Sequence, residues 1–484
     1  MASSGDGETT SHNQPSPETM DRIQATIYGQ CIGDAIGLLT EFLSKDEAKM
    51  HYGKKAKKLE YRHKKIVDDF HRSRWQEGDW TDDSDQMILI MRSLVDCGGK
   101  VDPVDFAKKF KTWIKSGFSE LGDLGGLGIG LTTMNVTSRP DFMVDPHEVA
   151  RFVWEEHDRT IAPNGAVMRT SIVGIHMYWS LDDVTKNARD FAKTTHHDPR
   201  CQASTVAVSV AIATMLQGKH MDKKGNFIVK DIIQDAYKYA SRCLETDTEK
   251  KDLMFYLTCE NIEDLKLDEA KKIGYTYKSM GTGFWALKQD DFRKTITSIV
   301  MQGGDADSNA CVGGALLGCK LGMSALPKSW VTKLLHKDWL DNEIKKTLWC
   351  THSGYIAKSV DDNDDPDFNI SMKRGYGGVA IIWKKEINEN IKELIDGGNR
   401  IQAIHIQQGD KPICLINVYM PSDSKNADIE YKDTLAQIDE MIEKYKDTHE
   451  IIVCGDMNGS LDRSSTPHDK ILKTFCKEKM YRKY

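Results

Sequence analysis

Gly303-Gly304-Asp305-Ala306-Asp307-Ser308-Asn309-Ala310-Cys311-Val312-Gly313-Gly314-Ala315-Leu316-Leu317-Gly318-Cys319-Lys320-Leu321 is the stretch that decides how this chain folds. Residues 292–301 before it are apolar enough to be buried, and the paired glycines let the backbone turn tightly. Asp305, Asp307 and Ser308 then offer oxygen ligands at the start of a helix of small residues. Alternating aspartates beside a hydroxyl bring several hard oxygens to one point, which suits Mg²⁺ or Mn²⁺ rather than a soft metal. A matching half-site is Gly78-Asp79-Trp80-Thr81-Asp82-Asp83-Ser84-Asp85, which also opens an apolar helix over 86–95. Capping explains either segment alone, with Thr81 or Asp82 as N-cap and acidic residues favoured by the helix dipole. Two such oxygen clusters in one chain favour a metal site.

The 484 residues allow two or three domains and a sizeable core. Hydrophobic residues make up 39% and charged residues 29%, a balance typical of globular chains. A formal net charge of −7 gives no global attraction to nucleic acid or to an anionic membrane. Eleven cysteines lack paired spacing, and Cys31, Cys311, Cys319, Cys414 and Cys454 sit in apolar runs as small core residues, so a reducing compartment is expected, the cytoplasm or the nucleus. Residues 1–19, rich in Ser, Gly, Glu and Pro, read as a disordered tail without a secretory signal. No apolar run reaches the about 18 residues that span a bilayer, and no membrane partner is expected.

Helical spacing runs from Asp21 onward through Ile23, Ile27, Cys31, Ile36 and Leu39, interrupted by Gly33-Asp34-Ala35-Ile36-Gly37 and ending at Thr40-Glu41-Phe42. Glu41 reads either as a surface carboxylate or as a further ligand or base. The basic run of Lys54, Lys55, Lys57, Lys58, Arg62, Lys64, Lys65, Arg72 and Arg74 favours a solvated loop over a polyphosphate contact, because nothing places these side chains on one face. Helices follow over 103–118, 146–157, 202–217, 231–243 and 290–301, with no period-2 strands before about position 350. The glycine run over 122–130 can present backbone N–H groups to phosphates, but no Lys-Ser/Thr follows it, so it is not a nucleotide-binding P-loop. Residues 351–372 are polar and acidic and read as a linker. Beyond them, strand-like runs over 379–383, 401–406, 413–419 and 451–454 surround a helix with Leu435, Ile438 and Ile442 on one face. The expected architecture is mainly α over 20–350, then an α/β unit over 373–484.

Five motifs in order then carry a resemblance: Gly33-Asp34-Ala35-Ile36-Gly37 with Glu41, Thr81-Asp82-Asp83, Asn164-Gly165-Ala166-Val167-Met168-Arg169, Thr195-His196, and Gly304-Asp305-Ala306-Asp307-Ser308. Over about 20–350 the chain resembles the ADP-ribosylglycohydrolase family. The resemblance implies a compact all-helical domain with two Mg²⁺ or Mn²⁺ ions that hydrolyses the bond between ADP-ribose and an acceptor, on an ADP-ribosylated protein or related conjugate. It implies Thr81, Asp82, Asp83, Asp305, Asp307 and Ser308 as metal ligands, Ser308 standing where the family usually has threonine. Glu41, with Asp82 and Asp305, would be catalytic, Glu41 positioning or activating water and stabilising oxocarbenium-like charge. Gly128 and Gly130 would contact the diphosphate, and Asn164, Gly165 and His196 the ribose. The competing reading is a non-catalytic ADP-ribose-binding or crystallin-like structural protein, against which the full set of oxygen ligands speaks. A haloacid-dehalogenase-type phosphatase would need alternating strands and helices around Asp305, which the pattern lacks.

The carboxyl-terminal part is similar to a different family, the endonuclease/exonuclease/phosphatase fold of retrotransposon endonucleases. The match rests on Arg374-Gly375-Tyr376-Gly377-Gly378-Val379-Ala380-Ile381, Asn417-Val418-Tyr419-Met420-Pro421 and Gly455-Asp456-Met457-Asn458. Tyr419, Asp456 and Asn458 would be the nuclease-like remnant. The upstream metal-binding Glu and the terminal Ser-Asp-His-type segment are missing, so a truncated, inactive fragment is expected, with at most weak nucleic-acid contact.

Overall fold

A computed structural model describes residues 15–62, 67–359, 378–384, 390–407, 409, 411–422, 427–463 and 465–479. The chain divides into two units, Gln14–Thr351 and His352–Tyr484. In the first, two glycine-rich helices lie side by side: α1 (Pro17–Gly37) and, from the far end of the unit, the helix Ala306–Leu321. Their contact is backbone on backbone. A Cβ on Gly33 would stand 2.0 Å from the Ala310 carbonyl oxygen, one on Gly29 2.1 Å from that of Gly314, and one on Gly318 2.2 Å from that of Ala25. The glycines expected to interrupt α1 leave it continuous to Gly37 and serve this approach instead. Small residues thus draw the carboxyl end of α1 against the amino end of the distant helix, where a Cβ on Gly37 would lie 2.3 Å from the Asp307 Cα.

Between these two in sequence come α2 (Asp82–Asp96), α3 (Pro199–Leu216) and α4 (Thr276–Leu287), so the helix Ala306–Leu321 is α5. Helix α3 starts behind Asp198, whose carboxylate accepts from the Arg200 N–H, with Pro199 in the first turn. It is buried on every side from Cys201 to Leu216, which its run of Ala, Val, Ser and Thr permits. The core joins Ile27 and Ile32 of α1, Ile88 and Leu94 of α2, Val206 and Ile212 of α3, Phe284 of α4 and Leu316 of α5. Before Ser353, no strand longer than an isolated bridge occurs among the described residues.

In the second unit β1 (Ser353–Ser359) pairs antiparallel with β2 (Gly378–Lys384). A four-stranded sheet is ordered β3 (Ile391–Leu394), β4 (Ile401–Ile406), β5 (Ile413–Tyr419), β6 (Glu450–Asp456). The first two pairings are antiparallel, and β5 runs parallel to β6 through the crossover helix α6 (Ala427–Tyr445). A final helix, α7 (Pro467–Lys479), follows. Leu435, Ile438 and Ile442 of α6 are buried with Ile401, Ala403, Ile416 and Val418 of the sheet.

Three expectations need correction. Helix α1 begins inside the expected tail of 1–19, because Ser16 caps it, accepting the Thr19 N–H at 3.0 Å, with Pro17 in the first turn; residues 1–14 lie outside the described residues. The expected linker of 351–372 opens with strand β1, which has little apolar alternation of its own and is extended by its ladder to β2; residues 360–372 lie outside the described residues. Strand β3 was hidden by its Lys and Glu, which suit the edge position it occupies.

Candidate active site and metal centre

Two loops meet at the mouth where α1 and α5 converge. Gly303 and Gly304 both adopt positive φ, +67° and +69°, the left-handed region that glycine enters without penalty. This turn exchanges two backbone hydrogen bonds with the loop that ends α1: the Phe42 N–H donates to the Gly304 carbonyl at 2.7 Å and the Gly304 N–H to that of Leu43 at 2.8 Å. Glu41 is thereby fixed beside Asp305 and Asp307, and one carboxylate oxygen from each of the three lies within 4.8 Å of the others. Glu41 and Asp307 are buried and Asp305 is partly so.

Thr81 and Asp305 occupy the N-cap positions of α2 and α5, yet neither side chain accepts a capping hydrogen bond. The Thr81 hydroxyl lies 2.9 Å from Asp34 Oδ1 and 3.3 Å from Asp307 Oδ2. Capping therefore does not account for these residues. Asp34 acts as a buttress: one oxygen accepts the Thr81 N–H at 2.9 Å, the other the Ser84 N–H at 3.0 Å and the Ser84 hydroxyl at 2.7 Å. Sequence reading passed over its role, although a carboxylate inside an otherwise apolar helix is a signal for one. Asn164 Nδ2 donates to Asp305 Oδ2 at 3.0 Å and to the Ser279 hydroxyl at 2.9 Å, which in turn donates to Asn309 Oδ1.

The electrostatics are one-sided. Burial raises the Asp34 carboxyl to about 6. Burial, reinforced by the neighbouring carboxylates, raises Asp82, Asp83 and Asp307 well above the ordinary range, and burial and the Glu41 charge raise Asp305. Among the described residues no Lys or Arg forms an ion pair with any of them, and the buried Asp83 Oδ1 has no hydrogen-bond partner. Clustered hard oxygens, mutual repulsion and an orphaned lone pair fit divalent cations. Thr81, Asp83, Asp305, Asp307 and Ser308 could hold them. Asp82 has one carboxylate oxygen engaged, its Oδ2 accepting from Gln86 Nε2 at 2.6 Å.

A pH dependence follows. A carboxyl whose folded pKa lies above its unfolded value binds its proton more tightly when folded. Its contribution to stability is present below the ordinary value of about 4 and is lost as pH rises through the folded value, near 6 for Asp34. Metal-free protein is therefore expected to melt lower at pH 7.5 than at pH 5, with Mg²⁺ or Mn²⁺ recovering the loss at pH 7.5. Melting curves at both pH values, with and without chelator, check this.

Of the residues expected to meet the substrate, Gly128 and Asn164 lie against the acidic cluster. Gly128, at φ +94°, lies so close to Asp82 that a Cβ would stand 2.3 Å from Oδ1, whereas Gly130 faces open space at the start of the helix Leu131–Thr137. Gly128→Ala is expected to lower kcat/KM by about 10- to 100-fold through displacement of Asp82 and its own loop, measured at saturating metal. A Cβ on Gly165 would meet the His196 ring at 2.9 Å. A buried chain runs onward from Asp82: Gln86 Oε1 accepts from Arg169 Nη1 at 2.8 Å, Arg169 Nη2 donates to the Thr195 hydroxyl at 2.6 Å, and that hydroxyl lies 2.7 Å from His196 Nδ1. With its oxygen accepting from Arg169, the hydroxyl donates to Nδ1 and leaves His196 with its hydrogen on Nε2. Burial, with the Arg169 charge, keeps this imidazole well below its usual pKa and hence neutral, and burial lowers Arg169 itself to about 9.

Among the described members of the basic run Lys54, Lys57, Lys58, Arg62 and Arg74 are exposed, the three lysines on a short helix (Gly53–Lys58) rather than a loop, but Arg72 is buried. Lys64 and Lys65 lie outside the described residues. In the second unit Tyr419 and Asp456 are paired across β5 and β6. Asn458, at φ +42°, donates its N–H to Asp456 Oδ1 at 3.0 Å and its Nδ2 to the Met420 carbonyl at 2.7 Å.

A family model described as ADP-ribosylglycohydrolase matches residues 15–355. An ADP-ribosylarginine hydrolase, Tri1, of Serratia proteamaculans is 24% identical over 334 residues, covering 68% of this chain and 79% of its own. The ADP-ribosyl-[dinitrogen reductase] glycohydrolase of Rhodospirillum rubrum is 24% identical over 338 residues, covering 69% and 96%. Among solved structures, an "ADP-ribosylglycohydrolase-related protein complex" superposes with a TM-score of 0.51 at 22% identity, covering 69% of this chain and 100% of the other, a likeness of fold.

Proposed function

The chain belongs to the ADP-ribosylglycohydrolase family, and from that premise we propose that it hydrolyses the glycosidic bond joining ADP-ribose to an acceptor on a protein or related conjugate. The observation that carries the reading is the pair of N-cap positions, Thr81 and Asp305, whose side chains leave the helix ends uncapped and turn instead toward a shared acidic centre. Two Mg²⁺ or Mn²⁺ ions held by Thr81, Asp82, Asp83, Asp305, Asp307 and Ser308 would supply Lewis acidity and lower the pKa of a bound water.

The chain's own groups divide the remaining work. The Glu41 carboxylate stabilises positive charge developing at the anomeric carbon and accepts the proton of the attacking water. Backbone N–H groups of the loop containing Gly128 and Gly130 take the diphosphate. The ribose is met by Gly165, by Asn164 through its hydrogen-bonded amide, and by His196 through its Nε2–H. Asp82 and Asp305 align the reacting sugar.

The acceptor is left to experiment. The two relatives are named for ADP-ribosylarginine and for dinitrogen reductase, and an arginine-linked conjugate therefore heads the panel. The test is release of free ADP-ribose from arginine-, serine- and polymer-linked substrates with Mg²⁺, with Mn²⁺ and with chelator. Metal-dependent release supports the reading and names the linkage; tight ADP-ribose binding without release from any substrate would turn the domain into a binding module. The described cysteines are all free, which supports a reducing compartment, cytoplasmic or nuclear. For the second unit we infer a nuclease-like remnant, supported by Tyr419 paired with Asp456 across β5 and β6 and by Asn458 hydrogen-bonded to Asp456.

A further inference from the structure

The single-turn helix Phe70–Ser73 is too short to be stable alone, and two of its side chains, His71 and Arg72, reach the loop carrying Glu41. Asp69 caps it, accepting the Arg72 N–H at 2.7 Å. The buried Arg72 guanidinium donates to the Leu39 carbonyl at 3.1 Å and to the Glu41 carbonyl. Phe42, forced to φ +61°, lays its ring edge-on against His71 with centroids 4.8 Å apart. His71 Nε2 then lies 2.5 Å from Glu41 Oε2. Its other nitrogen, Nδ1, is 2.7 Å from Arg74 Nη2.

A guanidinium has no lone pair with which to accept. Arg74 must therefore donate to Nδ1, and the ring carries its hydrogen on Nε2, aimed at Glu41. With both nitrogens so engaged, His71 cannot serve as a metal ligand in this arrangement. We propose that His71, set in its tautomer by Arg74, is the positioning residue that aims the Glu41 carboxylate at the acidic centre. A glutamate side chain has three rotatable bonds, and a donor fixed on one carboxylate oxygen restricts all three. The proposal rests on the reading that Glu41 faces the reacting bond, and it adds to that reading two residues of the segment between the first two motifs.

The test uses the full chain, with the best substrate of the panel and a ring-labelled histidine spectrum. His71→Ala is expected to lower kcat about 10- to 100-fold with KM changed less than about threefold, the loss typical of an orienting partner. His71→Gln, whose amide N–H replaces Nε2–H, is expected to recover kcat to within about fivefold, which no purely structural loss would allow. The ¹⁵N–¹H correlation of His71, assigned by its absence in His71→Gln, should show hydrogen on Nε2, with Arg74→Ala releasing the other tautomer. A Nδ1–H ring in the wild type, or an unchanged kcat in a folded His71→Ala, overturns the proposal. A wild type that cleaves nothing sinks the hydrolase reading, while the ring tautomer still decides whether Arg74 sets His71 against Glu41.

Discussion

Asp305→Asn is expected to abolish metal-dependent release of ADP-ribose, by on the order of a thousandfold, while leaving the protein at least as stable as the wild type. The two effects part because the residue's charge serves binding and opposes folding. One anionic oxygen fewer removes several kcal/mol of metal-borne stabilisation, and about 4 kcal/mol corresponds to three decades of rate. Without metal, the same change relieves Glu41 and Asp83, which share the buried cluster with Asp305. At pH 7.5 the metal-free variant should melt at or above the wild type, and Mn²⁺ should no longer raise its Tm. Full activity, or a retained Mn²⁺-dependent shift, would remove Asp305 from the centre.

Gly33→Ala carries the largest expected structural effect. Helix propensity alone favours alanine here by about 1 kcal/mol. The new methyl, however, would stand 2.0 Å from the Ala310 carbonyl oxygen and 2.5 Å from its carbon, both backbone atoms of α5. No rotamer change can clear a backbone overlap, so α1 and α5 must separate along their length. The net loss is expected to be about 3 kcal/mol, seen as a fall in Tm of roughly 6 °C or more. Metal affinity should fall with it, since the separation moves Glu41 away from Asp307. Gly130→Ala, at a glycine of negative φ with open space around it, is the control without an overlap; an equal loss there would show that the overlap in α1 is not the cause.

Sequence reading reached the carboxylates because their chemistry is visible locally. Asp305, Asp307, Thr81 and Asp83 stand at helix starts, in numbers that capping does not require. The helices were legible for the same reason: Pro103 and Pro146 follow Asp102 and Asp145, and each pair is a cap and first turn in the structure. What stayed hidden depends on contacts between distant segments. Asp34 looks like an isolated polar residue until the amides of Thr81 and Ser84 fold onto it. Arg72 belongs to a basic run that reads as solvated surface, and its burial, with bonds to the carbonyls of residues 39 and 41 and a pair with Asp69, sets it apart. Strand β1 was illegible because its extension comes from β2 rather than from its own residues.

The pairing of α1 with α5 has a consequence for how this protein is made. Helix α1 leaves the ribosome well before the surface it must bury and the turn that fixes Glu41, which belong to residues 303–321. At ordinary elongation rates that partner arrives on the order of tens of seconds later. Through that interval the apolar side of α1 waits without its partner, and the acidic centre lacks Asp305 and Asp307 beside Glu41. If the proposed metal binds, it would report completion of the helical unit: a nascent chain arrested before residue 303 should remain sensitive to protease whatever the Mg²⁺ concentration, and one in which residue 351 has left the ribosome should become resistant when the ion is supplied.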